Sequence, residues 1–297
     1  MIVKEALRSI LPEPILALIR SERAKRARAR NRPRAVLQEA EFRNILSDAL
    51  GVRRGDVVFV HSSIDRLGLA FPFYRILSVI RDILGDSGTV LFPTYPKLPA
   101  HEAALSGEVF DVRKSPSFTG VLTEFARRQP GALRSLNPTK SVCALGPHAR
   151  ELTAHHHDSP YPYDKCSPYY RLMDVGGRVI GLGVSTRNLS FIHCVEDELK
   201  DDFPVRTYFP RLFDAVCRDY DGREFTMQTY AHDPDKMRRD IPRFVRQYVS
   251  TFGGDVCRDL EIHGMPFFWA NSGPLFDVML RLAHQGTTVY ERSVYEK

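Results

Sequence analysis

The stretch EAEFRNILSDALGVRRGDVVFVHSS, residues 39–63, contains a change of hydrophobic period that decides the fold class. Its first half spaces Phe42, Ile45, Leu46, Ala49 and Leu50 as one face of a helix and stops at Gly51. Its second half, DVVFVHSS, is a β-branched and aromatic run of strand length that ends in small polar residues. Four apolar residues in a row, Val57–Val60, leave no polar face, as expected of a strand covered on both sides.

The same alternation continues outward. PFYRILSVIRDILG (72–85) has helical spacing and a terminal glycine, and GTVLFPTYP (88–96) is a strand closed by prolines. FTGVLTEFARRQPG (118–131) reads as another helix, SVCALG (141–146) as a short strand and GGRVIGLGV (176–184) as a buried strand between glycines. Such alternation predicts a layered α/β/α sheet, with strand ends supplying the site. REFTMQTYAHD (223–233) and GTTVYERSV (286–294) are expected to be strands of a smaller, β-containing C-terminal subregion, reached through an irregular aromatic tract at 200–212.

A chain of 297 residues with 43% hydrophobic content can bury a substantial core. No run of eighteen uncharged apolar residues occurs, and Glu5, Pro12, Glu13 and Pro14 interrupt any signal-peptide pattern, so a cytoplasmic protein is expected. The five cysteines are widely spaced with no C-x-x-C pair, which favours reduced thiols over a disulfide framework or a zinc ribbon. The net charge of +6 is concentrated at one end: residues 1–35 hold ten Lys or Arg against three Glu, and the rest is close to neutral. Residues 1–35 are therefore read as a basic amphipathic arm on a domain spanning 36–297. Peripheral membrane contact and packing against protein are both compatible with that arm. Its run at 20–34 lacks interleaved aromatics, so any nucleic-acid binding is expected to be nonspecific and salt-dependent.

RNLSFIHCVEDEL (187–199) places Ser190, His193 and Glu196 three residues apart, along one face if the segment is helical. Two readings follow from the residues alone: a buried histidine with polar neighbours, or a proton-transfer face. Cys194 next to His193 points elsewhere on a helix and is not a nucleophile partner. HHHD (155–158) holds consecutive residues that seldom converge on one ion, and no metal is expected.

The ordered motifs separate the two readings. GDVVFVHSSIDRLG, LGDSGTVLFPTYP, FDVRKSPSFTGVLTEFARRQPGALRSLNPTKSVCALGP, SPYPYDKCSPYYRL and GGRVIGLGVSTRNLSFIHCVED resemble, in order and spacing, the aminoglycoside 3-N-acetyltransferase family, over roughly residues 36–200. The resemblance rests on an H-S-S after the first strand, an R-S-x-x-P-x-x-S approach to a middle strand, and S/T-x-x-H-x-x-E after the G-x-G strand. It implies a CoA-dependent N-acyltransferase using acetyl-CoA or another acyl-CoA. His193 would be the general base, Glu196 would fix its tautomer, and the Ser190 hydroxyl would act at the thioester, where the family usually has Thr. It implies that Ser62, Ser63 and Arg66 line the cofactor, with Ser141 and Val142 flanking the pantetheine arm through backbone groups. It also implies that His157 and Tyr163 belong to the acceptor wall.

The chain departs from the family at Lys165, where the usual glutamate is missing. Losing a carboxylate from that loop suits an anionic amino sugar, nucleotide- or lipid-linked as in surface-polysaccharide synthesis, better than a polycationic antibiotic. Aminoglycoside acetylation in antibiotic resistance is the close alternative, and a noncatalytic membrane-associated scaffold is the alternative of another class. With no well-placed nucleophile, direct transfer in a ternary complex is expected.

Overall fold

The computed structural model describes residues 36–98, 100–237 and 255–290. The basic arm at 1–35 lies outside the described residues. Ten strands are formed: β1 Val57–Ser62, β2 Thr89–Pro93, β3 Phe110–Asp111, β4 Leu133–Arg134, β5 Val142–Leu145, β6 Arg178–Leu182, β7 Phe213–Arg218, β8 Glu224–Thr229, β9 Cys257–Ile262 and β10 Met265–Asn271. Seven make the main sheet in the order β4-β5-β2-β1-β6-β10-β9, and β3-β7-β8 make a smaller one. β2, β1 and β6 are parallel at the centre, while β5, β4, β10 and β9 run antiparallel to their neighbours at the flanks.

The period-two alternation within each strand feeds two cores. Val57, Phe59, Leu91, Val179 and Phe268 face one side of the main sheet, and Val58, Val60, Val90, Ile180 and Phe267 face the other. The second side is covered by α1 (Glu39–Asn44, extended by a π turn over Ile45–Ala49), α2 (Arg75–Leu84) and α3 (Val121–Arg127), through Phe42, Leu46, Ile76, Ile80 and Leu122. The first is covered by α4 (Ala149–Thr153), α5 (Pro168–Arg171), α6 (His193–Leu199) and α7 (Ser272–His284). This is the layered α/β/α arrangement expected from the sequence.

Two expectations need correction. GTTVYERSV does not form a strand within its described part: after a turn at Gly286 the chain runs irregularly to Tyr290, a buried β-bridge residue, and 291–297 lie outside the described residues. The C-terminal region also does not stand apart from the main sheet. β9 and β10 extend it and α7 packs on it, so the small sheet instead joins β7 and β8 to β3 from the middle of the chain.

Candidate active site

His193 opens α6 and is almost completely buried. Its Nδ1 lies 2.7 Å from Glu196 Oε1, the spacing that one helical turn allows an i, i+3 pair. Among the described residues, Glu196 accepts from three side chains. The others come from His232 Nε2 to Oε2 at 3.3 Å and from the Tyr290 hydroxyl to Oε1. Burial opposes ionisation of Glu196, but the adjacent His193 and His232 hold its carboxyl well below the usual range. Because the Glu196 carboxylate can only accept, Nδ1 of His193 carries the proton and Nε2 keeps the lone pair.

The ring environment fixes both imidazoles. Tyr163 packs 4.8 Å from His193 by ring centroids, and Tyr208 stacks on His232 at 4.3 Å and 12°. Asp197, next along the helix, accepts the Tyr163 N–H and the Tyr208 hydroxyl, each at 2.7 Å. Burial pushes its carboxyl well above the ordinary value.

Ser190 is not in α6 itself, although a 3-10 turn leading directly into it keeps Ser190 and His193 three residues apart on one side. It lies in a preceding 3-10 turn, Ser190–Ile192, because the chain leaves Leu189 in extended geometry and tightens before α6 begins. Its hydroxyl lies near that of Tyr95 and favours the phenolate electrostatically; Tyr95 also receives the Tyr169 hydroxyl at 2.6 Å and lies 3.4 Å from that of Tyr163. Burial raises the Tyr95 pKa, which keeps the phenol an O–H donor.

At the carboxyl ends of the central parallel strands two buried polar atoms have no partner among the described residues, His61 Nε2 and Ser62 Oγ. His61 is paired across the sheet with Gly181 and walled by Phe59 and Phe268, and burial lowers its pKa to about 3. Open α/β sheets bind ligands at these strand ends, and unsatisfied polar groups there are what a ligand would satisfy. Ser62, Ser63 and half-buried Arg66 occupy this edge, on and just after β1.

Ser141 and Val142 do not fit the role expected of them. Both are fully buried, and groups that were to face a cofactor are committed inside the protein. The Ser141 carbonyl accepts from Thr94 N–H, while Val142 exchanges both its backbone groups with Ser135. The Ser141 hydroxyl accepts from Arg134 and donates to the Thr94 carbonyl. His157 also departs from expectation. It is exposed and lines a cavity of about 510 Å³ with Arg150, Tyr220 and Phe225, none of which touches the His193 cluster. Its neighbour His156 is the buried one, held by Ser135 and the Pro162 carbonyl. Lys165 is exposed on the surface.

His232 and Tyr290 were missed by sequence reasoning. Each lies far along the chain from His193 in a segment without a motif, and only the packing of the small sheet and of α7 brings them to Glu196. Ligand atoms of His193, Glu196 and His232 lie within 4.8 Å of one another, as a metal site would require. The hydrogen bonds among them already satisfy the carboxylate without an ion.

A family model for aminoglycoside 3-N-acetyltransferases matches residues 59–283. The chain belongs to this family. Aminoglycoside N(3)-acetyltransferase VII of Streptomyces paromomycinus is 33% identical over 171 residues, covering 50% of this chain and 56% of that protein. Aminoglycoside N(3)-acetyltransferase IX of Micromonospora chalcea is 27% identical over 247 residues, covering 77% of this chain and 87% of that one. The alignment thus spans about half the length of the first relative and most of the second. Among solved structures, AAC-IIIb in a binary complex with CoASH superposes with a TM-score of 0.70 at 22% identity, over 86% of this chain and 100% of the other. AAC-VIa bound to sisomicin gives 0.70 at 20% identity, with the same coverage. These structures share the fold of this family member. No helix among its described residues is long and apolar enough to cross a membrane.

Proposed function

We propose that the protein is an acetyl-CoA-dependent N-acetyltransferase acting on an amine of an amino sugar, with aminoglycosides as the first acceptor class. The observation that carries this reading is the buried His193–Glu196 pair, with Nδ1 facing the carboxylate at 2.7 Å. With Nδ1–H directed at Glu196, Nε2 is the ring nitrogen that would take the amine's proton as it attacks the thioester. Glu196 then stabilises the imidazolium. The hydroxyls of Ser190 and Tyr95 are the donors for charge developing on the thioester oxygen or departing sulfur. Ser62, Ser63 and Arg66 would hold the acyl donor at the carboxyl edge of β1, where Ser62 Oγ lacks a protein partner.

Cys194 is fully buried and its thiol is pushed well above its ordinary pKa, so it supplies no thiolate for an acyl-enzyme. Direct transfer in a ternary complex follows. The relatives, aminoglycoside N(3)-acetyltransferases, favour aminoglycosides as acceptors. The exposed Lys165 favours an anionic amino sugar as the second class to examine, and it stands in solvent where its charge is screened. The test is thiol release from acetyl-CoA with an aminoglycoside panel and a nucleotide-linked amino sugar, run on the wild-type protein and on His193→Ala. Turnover lost in the variant supports the reading. Absence of turnover with every amine, or full activity without His193, refutes it.

A further inference from the structure

The imidazole contributed by the small-sheet side of the molecule has no role in the steps above. His232 follows β8 and is bridged in antiparallel fashion to Tyr208, so the backbone as well as the ring stack fixes its place. It lies 4.6 Å from His193 by ring centroids, yet it does not bond to it. Both rings address Glu196 instead, one on each carboxylate oxygen. A buried carboxylate with one oxygen unsatisfied is costly, and protonation is its usual escape. A protonated Glu196 would stabilise the His193 imidazolium far less.

We propose that His232 is a positioning residue that keeps Glu196 an acceptor for His193, by donating its Nε2–H to the second carboxylate oxygen. The inference rests on the acetyltransferase reading for its kinetic consequence but not for its structural one. The donation fixes the carboxylate plane, so that Oε1 stays in line with His193 Nδ1 while Tyr290 supports the same oxygen. Among the described residues, His193, His232 and Tyr290 face this carboxylate by hydrogen bond, and Asp197, Cys194, Tyr163 and Tyr208 are titratable groups coupled to it electrostatically. Lys140, among the described residues, is a cation whose charge reaches His232. Among these partners His193 and His232 favour the ionised form, and Asp197 opposes it when charged.

Two substitutions separate the hydrogen bond from the packing. His232→Phe keeps an aromatic ring for Tyr208 and removes the donor. His232→Gln loses the stack and places an amide N–H near the position of Nε2. Both remove the imidazole's own titration, so the difference between them reports on Glu196. With acetyl-CoA and a competent acceptor, His232→Phe is expected to lower kcat by about ten- to a hundredfold. It should also move the acid limb of the kcat profile to higher pH, and His232→Gln should restore both. Without substrate, the Tm of His232→Phe should fall below that of His232→Gln at neutral pH, and the gap should close as the pH is lowered below about 4.5. Glu196 has a depressed pKa in the fold, so its ionised form stabilises above the unfolded carboxyl pKa and that stabilisation is lost as pH falls. Equal kinetics in the two variants, or a Tm gap that does not change with pH, would overturn the proposal. A wild-type protein with no turnover but a pH-dependent gap would sink the acetyltransferase reading and leave the His232 inference standing.

Discussion

In the proposed function His193 is the base, and its 2.7 Å contact from Nδ1 to Glu196 assigns the tautomer that this role requires. His193→Ala is therefore expected to cut kcat by about a hundred- to ten-thousandfold. Calorimetric titration with CoA should meanwhile give an unchanged Kd, because the proposed cofactor seat is at the end of β1. Weakened CoA binding would place His193 in the cofactor site instead. Asp197 offers a second test at this scale. Its two acceptor bonds fix Tyr163, which packs on His193, and Tyr208, which packs on His232. Its carboxyl favours the neutral form. Asp197→Asn can still accept from the Tyr163 N–H and can donate to Tyr208, so it should cost less than about 1 kcal/mol in urea unfolding, whereas Asp197→Ala should cost about 2–4 kcal/mol. Equal costs would mean that the carboxyl acts by volume alone.

The elements around the site explain which parts of the molecule were legible. β1, β2, β5 and β6 are short apolar runs buried on both faces, and their glycine and proline boundaries are local signals, so sequence alone located them. The Ser190–His193–Glu196 spacing was legible for the same reason, although not the 3-10 turn that separates Ser190 from α6. Glu196's other partners were not, since no local pattern tells which distant loop a carboxylate will meet. The failure of Ser141 and Val142 has a similar cause: strand residues named by motif turned out to have their groups consumed by Thr94, Ser135 and Arg134. β6 allows a sharper test. Gly181 sits opposite His61, and a Cβ there would come within 2.1 Å of the Phe268 ring and 2.9 Å of the Val184 carbonyl. Gly181→Ala should destabilise by about 2–3 kcal/mol through overpacking between β1 and β10. A wild-type unfolding midpoint would show that this ring can move aside.

At the scale of the whole molecule, burial holds down the pKa of three histidines among the described residues. The pKa values of His61, His156 and His232 are lowered to about 3, about 4 and about 3, in each case chiefly by burial. The unfolded chain takes up protons at these residues below about pH 6.5, whereas the fold refuses them until much lower pH. Stability is therefore fully present above pH 6.5 and falls as the solution is acidified toward the folded values. Between pH 6.5 and 5 the three groups together remove on the order of 5 kcal/mol, comparable with the net stability of an ordinary domain. The depressed carboxyls of Glu124, Glu196 and Asp111 act only below about pH 4.5, whereas the raised carboxyl of Asp197 works against the three imidazoles above its ordinary value, so the fall on acidification is their net effect. Thermal melts from pH 7.5 to 5 should show a steep fall in Tm. His61→Phe, which removes one such group and its unpartnered nitrogen from between Phe59 and Phe268, should make that fall shallower. A Tm that stays level across this range would mean that the three rings accept protons in the fold, and that His61 is not held as a neutral, ligand-ready group at the end of the central strand.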